Sequence, residues 1–225
     1  MQALFVLLKK DLILELRNRE TLGLIVCLAI LLSVVVSLGV SSSFLNEETV
    51  AKLYPALLWI IFVFAATISI GRSYEYEQQN RAIEGLILSG VEPWLIYLAK
   101  VLSNCCVVLL GHAVAIVVLS TLLNLSVWGI SAQLMLVSVF VILGYTALAT
   151  LLAGIASTAK LKDMLLPLIL LPLLFPLFFA ALEITAALFV ENRIDFGSMW
   201  VSMLIGLDVL YLVLGINLYE FVIKE

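Results

Sequence analysis

The stretch LIYLAKVLSNCCVVLLGHAVAIVVLSTLL, residues Leu95–Leu123, contains a single charged residue, Lys100. An α-helix rises about 1.5 Å per residue, so about 20 apolar residues are enough to cross the hydrocarbon layer of a membrane. The stretch is longer than that. It therefore predicts a membrane-spanning helix that tilts or projects beyond the bilayer.

The composition of the whole chain agrees with this prediction. Of its 225 residues, 64% are hydrophobic and 12% are charged, with a mean hydropathy of +1.21. Soluble domains contain about 45–50% apolar and roughly 25% charged residues. A soluble globule of this size has too little interior for so much apolar surface. The composition excludes a nucleic-acid-binding surface and a disordered tail, and it predicts an all-α integral membrane protein.

Five other runs are apolar and long enough to cross a membrane. The connections between the six runs are too short to form a folded domain, so the chain is predicted to be a single transmembrane domain over residues 1–225. The Glu183–Ser198 connection is half apolar, and the sequence leaves open whether it forms a short helix in the outer leaflet. The five runs are Leu22–Val40, Leu53–Ile70, Gln133–Ala156, Leu165–Leu182 and Met199–Phe221.

The basic residues predict the orientation of the six spans. Placing the N-terminus in the cytoplasm puts ten basic residues on that side and two outside, as the positive-inside rule requires. Both termini are then cytoplasmic. The ten are Lys9, Lys10, Arg17, Arg19, Arg72, Arg81, Lys100, Lys160, Lys162 and Lys224, and the two are Lys52 and Arg193.

The first 20 residues have the pattern of an amphipathic helix. Phe5, Leu8, Leu12 and Leu16 recur at helical spacing, with Lys10 and other charged residues away from them. This pattern is typical of a helix that lies in the membrane interface before the first span. A solvated charged leader is the alternative. A cleaved signal peptide is not expected, because no small-residue cleavage site follows the first apolar patch.

The chain carries no recognisable catalytic or energy-converting motif. It lacks the GxxxxGK[ST] phosphate loop, the HExxH metal motif and the GxSxG nucleophile motif, and it contains one histidine. The sequence therefore predicts no catalytic residue and no metal site. Any energy input must come from another polypeptide or from a gradient.

The most informative polar segment is GRSYEYEQQNRAIEGLILSGVEP, residues Gly71–Pro93. A charged stretch with Arg72 and Glu75 is followed by an apolar patch, and Gly90 and Pro93 then interrupt any helix. On a short helix Ile83, Leu86 and Ile87 share one face, which suits docking into a groove of a partner protein. A helix that rests on the bilayer surface is the alternative.

Two polar residues lie deep within predicted spans. His112 lies in span 3 and Asp208 in span 6, at similar distances from the outer surface. Ionisable residues inside a membrane usually face the bundle interior or a cavity. They are candidates for a substrate path, a proton site or a His112–Asp208 pair. The alternative is that each is satisfied by a carbonyl or hydroxyl group of a neighbouring helix.

Three further features carry structural expectations. Pro167, Pro172 and Pro176 in span 5 predict a distorted helix that is buried against protein. Lys100 is expected to reach the membrane surface with its ammonium group. The cysteines, which are Cys27, Cys105 and Cys106, have no ligand or disulfide spacing and are expected to be small buried apolar residues.

Over essentially its whole length the chain resembles the cytochrome c maturation protein B family, also called haem exporter protein B. The order and spacing of several short motifs carry the resemblance. They are Lys10-Asp11-Leu12 with Glu15, Arg17 and Arg19, then Leu58-Trp59, Arg72 and Glu75 with Ile83-Glu84-Gly85-Leu86, Tyr97 with Lys100, and LLPLILLPLLFP from Leu165 to Pro176.

The resemblance implies a permease subunit of an ABC transporter with the type-2 exporter fold, in the bacterial inner membrane. Two copies would pair with two ATPase subunits, which bind the ATP. A haem-handling integral membrane protein, a small single-span subunit and a periplasmic haem chaperone would complete the assembly for c-type cytochrome biogenesis. The implied ATPase interface comprises Lys10, Asp11, Arg17, Arg72, Glu75, Arg81, Ile83, Glu84, Gly85 and Leu86.

Two alternatives to haem transport through the chain remain open. The chain could be a non-conducting scaffold or mechanical coupler that helps to release the loaded haem chaperone, or an exporter of another hydrophobic cargo. Haem iron takes His, Met, Cys or Tyr as an axial ligand. Only His112 is a strong candidate for that role, and no second histidine pairs with it within one chain.

Overall fold

The computed structural model describes residues 2–17, 19–41, 46–79, 90–157 and 162–224. Within these ranges the chain forms seven α-helices and one 3-10 helix, Trp128–Ile130, and no strand. The α-helices, numbered here in chain order, are α1 Gln2–Arg17, α2 Arg19–Ser41, α3 Glu47–Gln79, α4 Pro93–Leu122, α5 Ser131–Ser157, α6 Lys162–Glu191 and α7 Met199–Lys224.

Helices α2 to α7 are each long and apolar enough to cross a membrane. The six predicted spans fall on these six helices, and the all-α membrane fold is confirmed. The short helix α1 precedes them and ends at Arg17, close to the predicted boundary at residue 20.

Two spanning helices, α3 and α6, extend far beyond the apolar runs that predicted them. Helix α3 has 33 residues and is therefore about 50 Å long, against about 30 Å of hydrocarbon, so it projects beyond the bilayer. Its last nine residues, Gly71–Gln79, continue the helix at the start of the segment predicted as a loop. Helix α6 similarly continues through Glu183 to Glu191, so this part of the connection is not a separate helix.

The C-terminal ends of α4 and α6 stop in the same way. Asn124 and Asn192 both have φ of 55°, the left-handed conformation that terminates many helices and that asparagine tolerates better than most residues. The turn from Asn192 to Ser198 then leads directly into α7.

Helix α5 lies at the centre of the bundle and packs against α3, α4, α6 and α7. Within its most apolar window 72% of the residues are buried, compared with 22% for α2. The larger core cluster surrounds α5. A smaller one, near the C-terminal end of α4, joins α2, α3 and α4 through residues that include Ala29, Tyr54 and Leu119.

Helix α6 runs without a break through its three prolines. It is less buried than predicted: 39% of its spanning window is covered, and Leu168 and Phe175 are among its exposed residues. The expectation of burial is also wrong for two cysteines, because Cys27 and Cys106 lie on exposed helix surfaces while Cys105 is half-buried. In a membrane these outward faces contact lipid.

Candidate functional site

Helix α1 packs against α4 and contacts α2 less extensively. The residues that it buries are Leu7 and Asp11, whereas Phe5, on the predicted apolar face, is 69% exposed. The exposed Phe5 is available to contact lipid, and the position of this face in the membrane interface stays a prediction. The chain has apolar residues all around α1, so the periodicity does not distinguish the face that meets protein from the face that meets lipid.

Helix α1 makes two polar contacts, one within the helix and one to α3. Lys10 Nζ lies 3.0 Å from Asp11 Oδ1, and the Ser73 hydroxyl donates a hydrogen bond to Glu15 Oε1. The second contact joins α1 to the projecting end of α3. The side chain of Arg17, also predicted at the ATPase interface, lies outside the described side chains.

The projecting end of α3 is also fixed to α4 and α5. Tyr74 Oη donates a hydrogen bond to the Thr150 carbonyl at 2.9 Å. Lys100 Nζ lies 5.3 Å from the centre of the Tyr74 ring, within the range of a cation–π interaction. Lys100 is 4% exposed, so the expectation that it reaches the membrane surface is wrong.

The segment predicted to dock a partner therefore follows a helix end that contacts three other helices, α1, α4 and α5. Arg72 is described and exposed, with Ser73 and Tyr74 buried beside it. The side chain of Glu75 lies outside the described side chains. Arg81, Ile83, Glu84, Gly85 and Leu86 lie outside the described residues altogether.

His112 of α4 is enclosed between neighbouring helices. Its Nε2 lies 3.0 Å from Ser138 Oγ, and Ser138 donates its one hydroxyl hydrogen to the Leu134 carbonyl at 2.8 Å. Ser138 must therefore accept from His112, which puts the imidazole hydrogen on Nε2. His112 Nδ1 is buried without a hydrogen-bond partner among the described residues.

The same arrangement recurs at three other interhelical contacts. In each, a hydroxyl group donates to the carbonyl four residues earlier and accepts from an aromatic side chain of another helix. Such bonds join helices where water is absent. The pairs are Tyr145 with Thr67 at 2.9 Å, Tyr54 with Ser120 at 2.8 Å and Trp59 with Thr185 at 3.1 Å.

The surroundings of His112 do not fit an axial ligand of haem. The Trp59 ring stacks on the imidazole with centroids 5.1 Å apart, and the Phe62 ring meets it edge-on at 5.1 Å. The adjacent cavity has a volume of about 10 Å³, no more than a water molecule needs, and is lined mainly by alkyl and aromatic groups. An axial ligand directs a ring nitrogen at the iron and needs room beside it for a macrocycle, and the packing around His112 leaves no such room.

Asp208 is the exception among these interior polar groups. It is 4% exposed, and neither carboxyl oxygen has a hydrogen-bond partner among the described residues. It packs against Gly144 of α5. Cys105 and Tyr211 are near enough to interact with it electrostatically. The candidate pair of His112 and Asp208 is not formed, since His112 Nδ1 and both carboxyl oxygens of Asp208 lack a hydrogen-bond partner among the described residues.

The supporting residues Ser73, Tyr74, Ser138 and Gly144 were not predicted from the sequence as site residues. A small residue or a hydroxyl residue inside a span is a weak signal, because most such residues only help helices to pack. Their importance becomes visible only when the neighbouring helix is in place.

The comparisons with known proteins give one finding. The family model described as CcmB protein matches residues 2–219. No curated protein matches the chain.

Proposed function

The chain belongs to the CcmB protein family, whose members are haem-exporting ABC transporter permease components of cytochrome c biogenesis, and on this premise we propose how it is powered and oriented. A separate ATPase subunit supplies the energy, and the permease transmits the ATPase movement into its spanning helices. This division agrees with the absence of a phosphate-binding loop from the sequence.

We place the chain in the bacterial inner membrane with both termini in the cytoplasm. The ten-to-two distribution of basic residues supports this orientation. Helix α1 and the projecting end of α3 then lie together at the cytoplasmic surface, where an ATPase subunit is accessible.

The observation that carries the docking proposal is the fixation of the end of α3. Ser73 is bonded to Glu15 of α1, and Tyr74 is bonded to Thr150 of α5 and covered by Lys100 of α4. A force applied to the segment after Gln79 therefore reaches three other helices through direct contacts. We assign docking to this segment, with Arg81, Ile83, Glu84, Gly85 and Leu86, and give α1 a bracing role through Lys10, Asp11 and Arg17.

The functional assembly in this proposal contains two copies of the chain and two ATPase subunits. A haem-handling integral membrane protein, a small single-span subunit and a periplasmic haem chaperone act with it. The outward faces of α2, α6 and α7 are apolar and leave room for lipid and for these membrane partners.

Replacement of Leu86 with Asp tests the docking assignment. An aspartate on the docking face should abolish co-purification of the ATPase subunit, since a charge would be buried without a partner. Leu88→Asp is the matched control, because helical spacing of 100° per residue puts position 88 on the opposite side from position 86. Membrane insertion of both variants is checked by their yield in the membrane fraction.

The docking assignment predicts loss of the ATPase from Leu86→Asp and retention in Leu88→Asp. Full ATPase stoichiometry in an inserted Leu86→Asp variant would show that this segment is not the docking site. Equal loss in both variants would show that position 86 has no special role.

A mechanical function without haem conduction is the second candidate, and one observation favours it. His112 and Asp208 are 2% and 4% exposed, so neither lines an open path. A His112→Ala, Asp208→Ala double variant separates the candidates. Mechanical coupling predicts normal amounts of mature c-type cytochrome in an inserted variant, whereas a polar haem path through these residues predicts loss.

A further inference from the structure

Asp208 is a buried acid in the interior of the helix bundle. It lies about ten residues into α7, and both of its oxygens are enclosed and lack a hydrogen bond to any described residue. Several hydroxyl, phenol, indole and imidazole groups of the same helices do form interhelical bonds, whereas the Ser103 hydroxyl, like Asp208, is buried without a partner among the described residues. Asp208 differs from Ser103 because a carboxyl group can ionise, and leaving its charge unpaired in an apolar interior costs far more than leaving a hydroxyl unpaired.

The bundle makes room for the carboxyl group at Gly144. A Cβ atom at this position would overlap Asp208 Oδ1 and would lie 3.1 Å from Leu177 Cδ1. By contrast, a Cβ atom at Gly206, two residues from Asp208 on α7, would meet nothing within 4 Å. The absence of a side chain at residue 144 thus creates a cradle between α5, α6 and α7 that the carboxyl group fills.

Among the described residues, the groups around the cradle offer no cation to balance a negative charge. The titratable groups that interact electrostatically with Asp208 include the Cys105 thiol of α4 and the Tyr211 phenol of α7, and neither can carry a positive charge. Gly144 of α5 and Leu177 of α6 are apolar, and Tyr211 Oη already donates to the Leu173 carbonyl at 2.7 Å. A carboxylate without a cation or a hydrogen-bond donor is strongly disfavoured in an apolar interior, and the neutral acid avoids that cost.

We propose that Asp208 is a proton-binding site in the membrane interior, with its carboxyl group held as the neutral acid in the cradle at Gly144. The ligand is a proton. Release of the proton requires water at the carboxyl group, and therefore a separation of α7 from α5. The proposal does not depend on the cargo or on the docking assignment.

Infrared difference spectroscopy tests the proposal directly. The full-length chain, purified with its partner subunits and placed in phospholipid vesicles near neutral pH, is compared with its Asp208→Asn variant. The proposal predicts a carbonyl stretching band of a protonated carboxyl group that is present in the unmodified chain and absent from the variant. Asp195→Asn is the matched control, because Asp195 is exposed and its Oδ1 accepts a hydrogen bond from the Gly197 amide.

Labelling with dicyclohexylcarbodiimide gives a second readout that needs no variant. The carboxyl O–H adds across one C=N bond, and the acyl group then migrates to nitrogen to give a stable N-acylurea from which nothing is lost. Mass spectrometry should find this adduct on Asp208. If Asp208→Asn fails to fold, the adduct in the unmodified chain decides.

The possible results distinguish a protonated Asp208 from an ionised one. Either the Asp208-dependent band or the adduct supports a bound proton at this site. A spectrum in which Asp208→Asn removes only carboxylate bands, together with no adduct on Asp208, would show that the group is ionised and would overturn the proposal.

Discussion

Single hydroxyl groups hold the interior together at four places. Ser138, Thr67, Ser120 and Thr185 each donate along their own helix and accept from a ring of another helix. The arrangement uses the one hydrogen of the hydroxyl group and leaves its lone pairs for the partner. It therefore fixes which atom of the partner carries a hydrogen, including Nε2 of His112.

Ser138→Ala should lower the free energy of unfolding by about 1 kcal/mol, since the buried His112 N–H would lose its acceptor. Thermal unfolding of the purified chain in detergent measures the change. Ser202→Ala is the control and should have little effect, because the Ser202 hydroxyl is exposed and donates only to the Ser198 carbonyl at 3.3 Å. Equal stability of the two variants would contradict the structural role of Ser138.

Gly215→Ala should destabilise the chain by about 1–3 kcal/mol, because the added methyl group would overlap the buried ring of Tyr97. Tyr97 Oη donates to the Ala147 carbonyl at 2.9 Å, so the ring cannot move away without breaking this bond. The matched control on the same helix is Gly206→Ala, where the space is open. It should gain up to about 1 kcal/mol from helix propensity. The measurement is again the unfolding temperature, and a stabilised Gly215→Ala variant would refute this packing.

The sequence locates interior polar residues better than it predicts their partners. His112 and Asp208 stand out because ionisable residues are costly in a membrane. Their partners depend on the rotation of each helix about its axis, and in apolar helices periodicity carries little information on that rotation. Ser138 and Gly144 decide the surroundings of both residues, yet neither is unusual in a spanning helix.

At the scale of helices, apolar runs predict the six spans well and their ends less well. The run that predicted α3 stops at Ile70, but the helix continues to Gln79 because nothing in its polar end interrupts it. The run that predicted α6 stops at Leu182, and the helix ends only at the left-handed Asn192. Hydropathy reports where lipid surrounds a helix, and the helix itself ends where the backbone is interrupted.

The link between α1 and α3 predicts a measurable change in local stability. Ser73→Ala removes the hydrogen bond to Glu15, so α1 should detach more often and trypsin should cleave at Lys9 and Lys10 several-fold faster. The rate is measured in membrane vesicles whose cytoplasmic surface faces outward. Ser131→Ala should cleave at the unmodified rate, because its hydroxyl group donates to the Trp128 carbonyl at the opposite end of the bundle. An unchanged rate in Ser73→Ala would show that this bond does not hold α1.

At the scale of the whole molecule, composition alone predicts a helical membrane protein, and the family match adds the transporter component. We propose that the end of α3, braced by α1, α4 and α5, receives the movement of an ATPase subunit and transmits it to the bundle. That role requires the end of α3 to lie in the cytoplasm.

The most direct test of this requirement is labelling at the two ends of α3. In a chain with Cys27, Cys105 and Cys106 replaced by alanine, single cysteines are placed at Gln79 and, as the control, at Lys52, about 40 Å away along the same helix. A membrane-impermeant maleimide is applied to intact cells and to inverted vesicles. The account predicts that Gln79→Cys reacts only in inverted vesicles and Lys52→Cys only in intact cells, and the reverse pattern would contradict it.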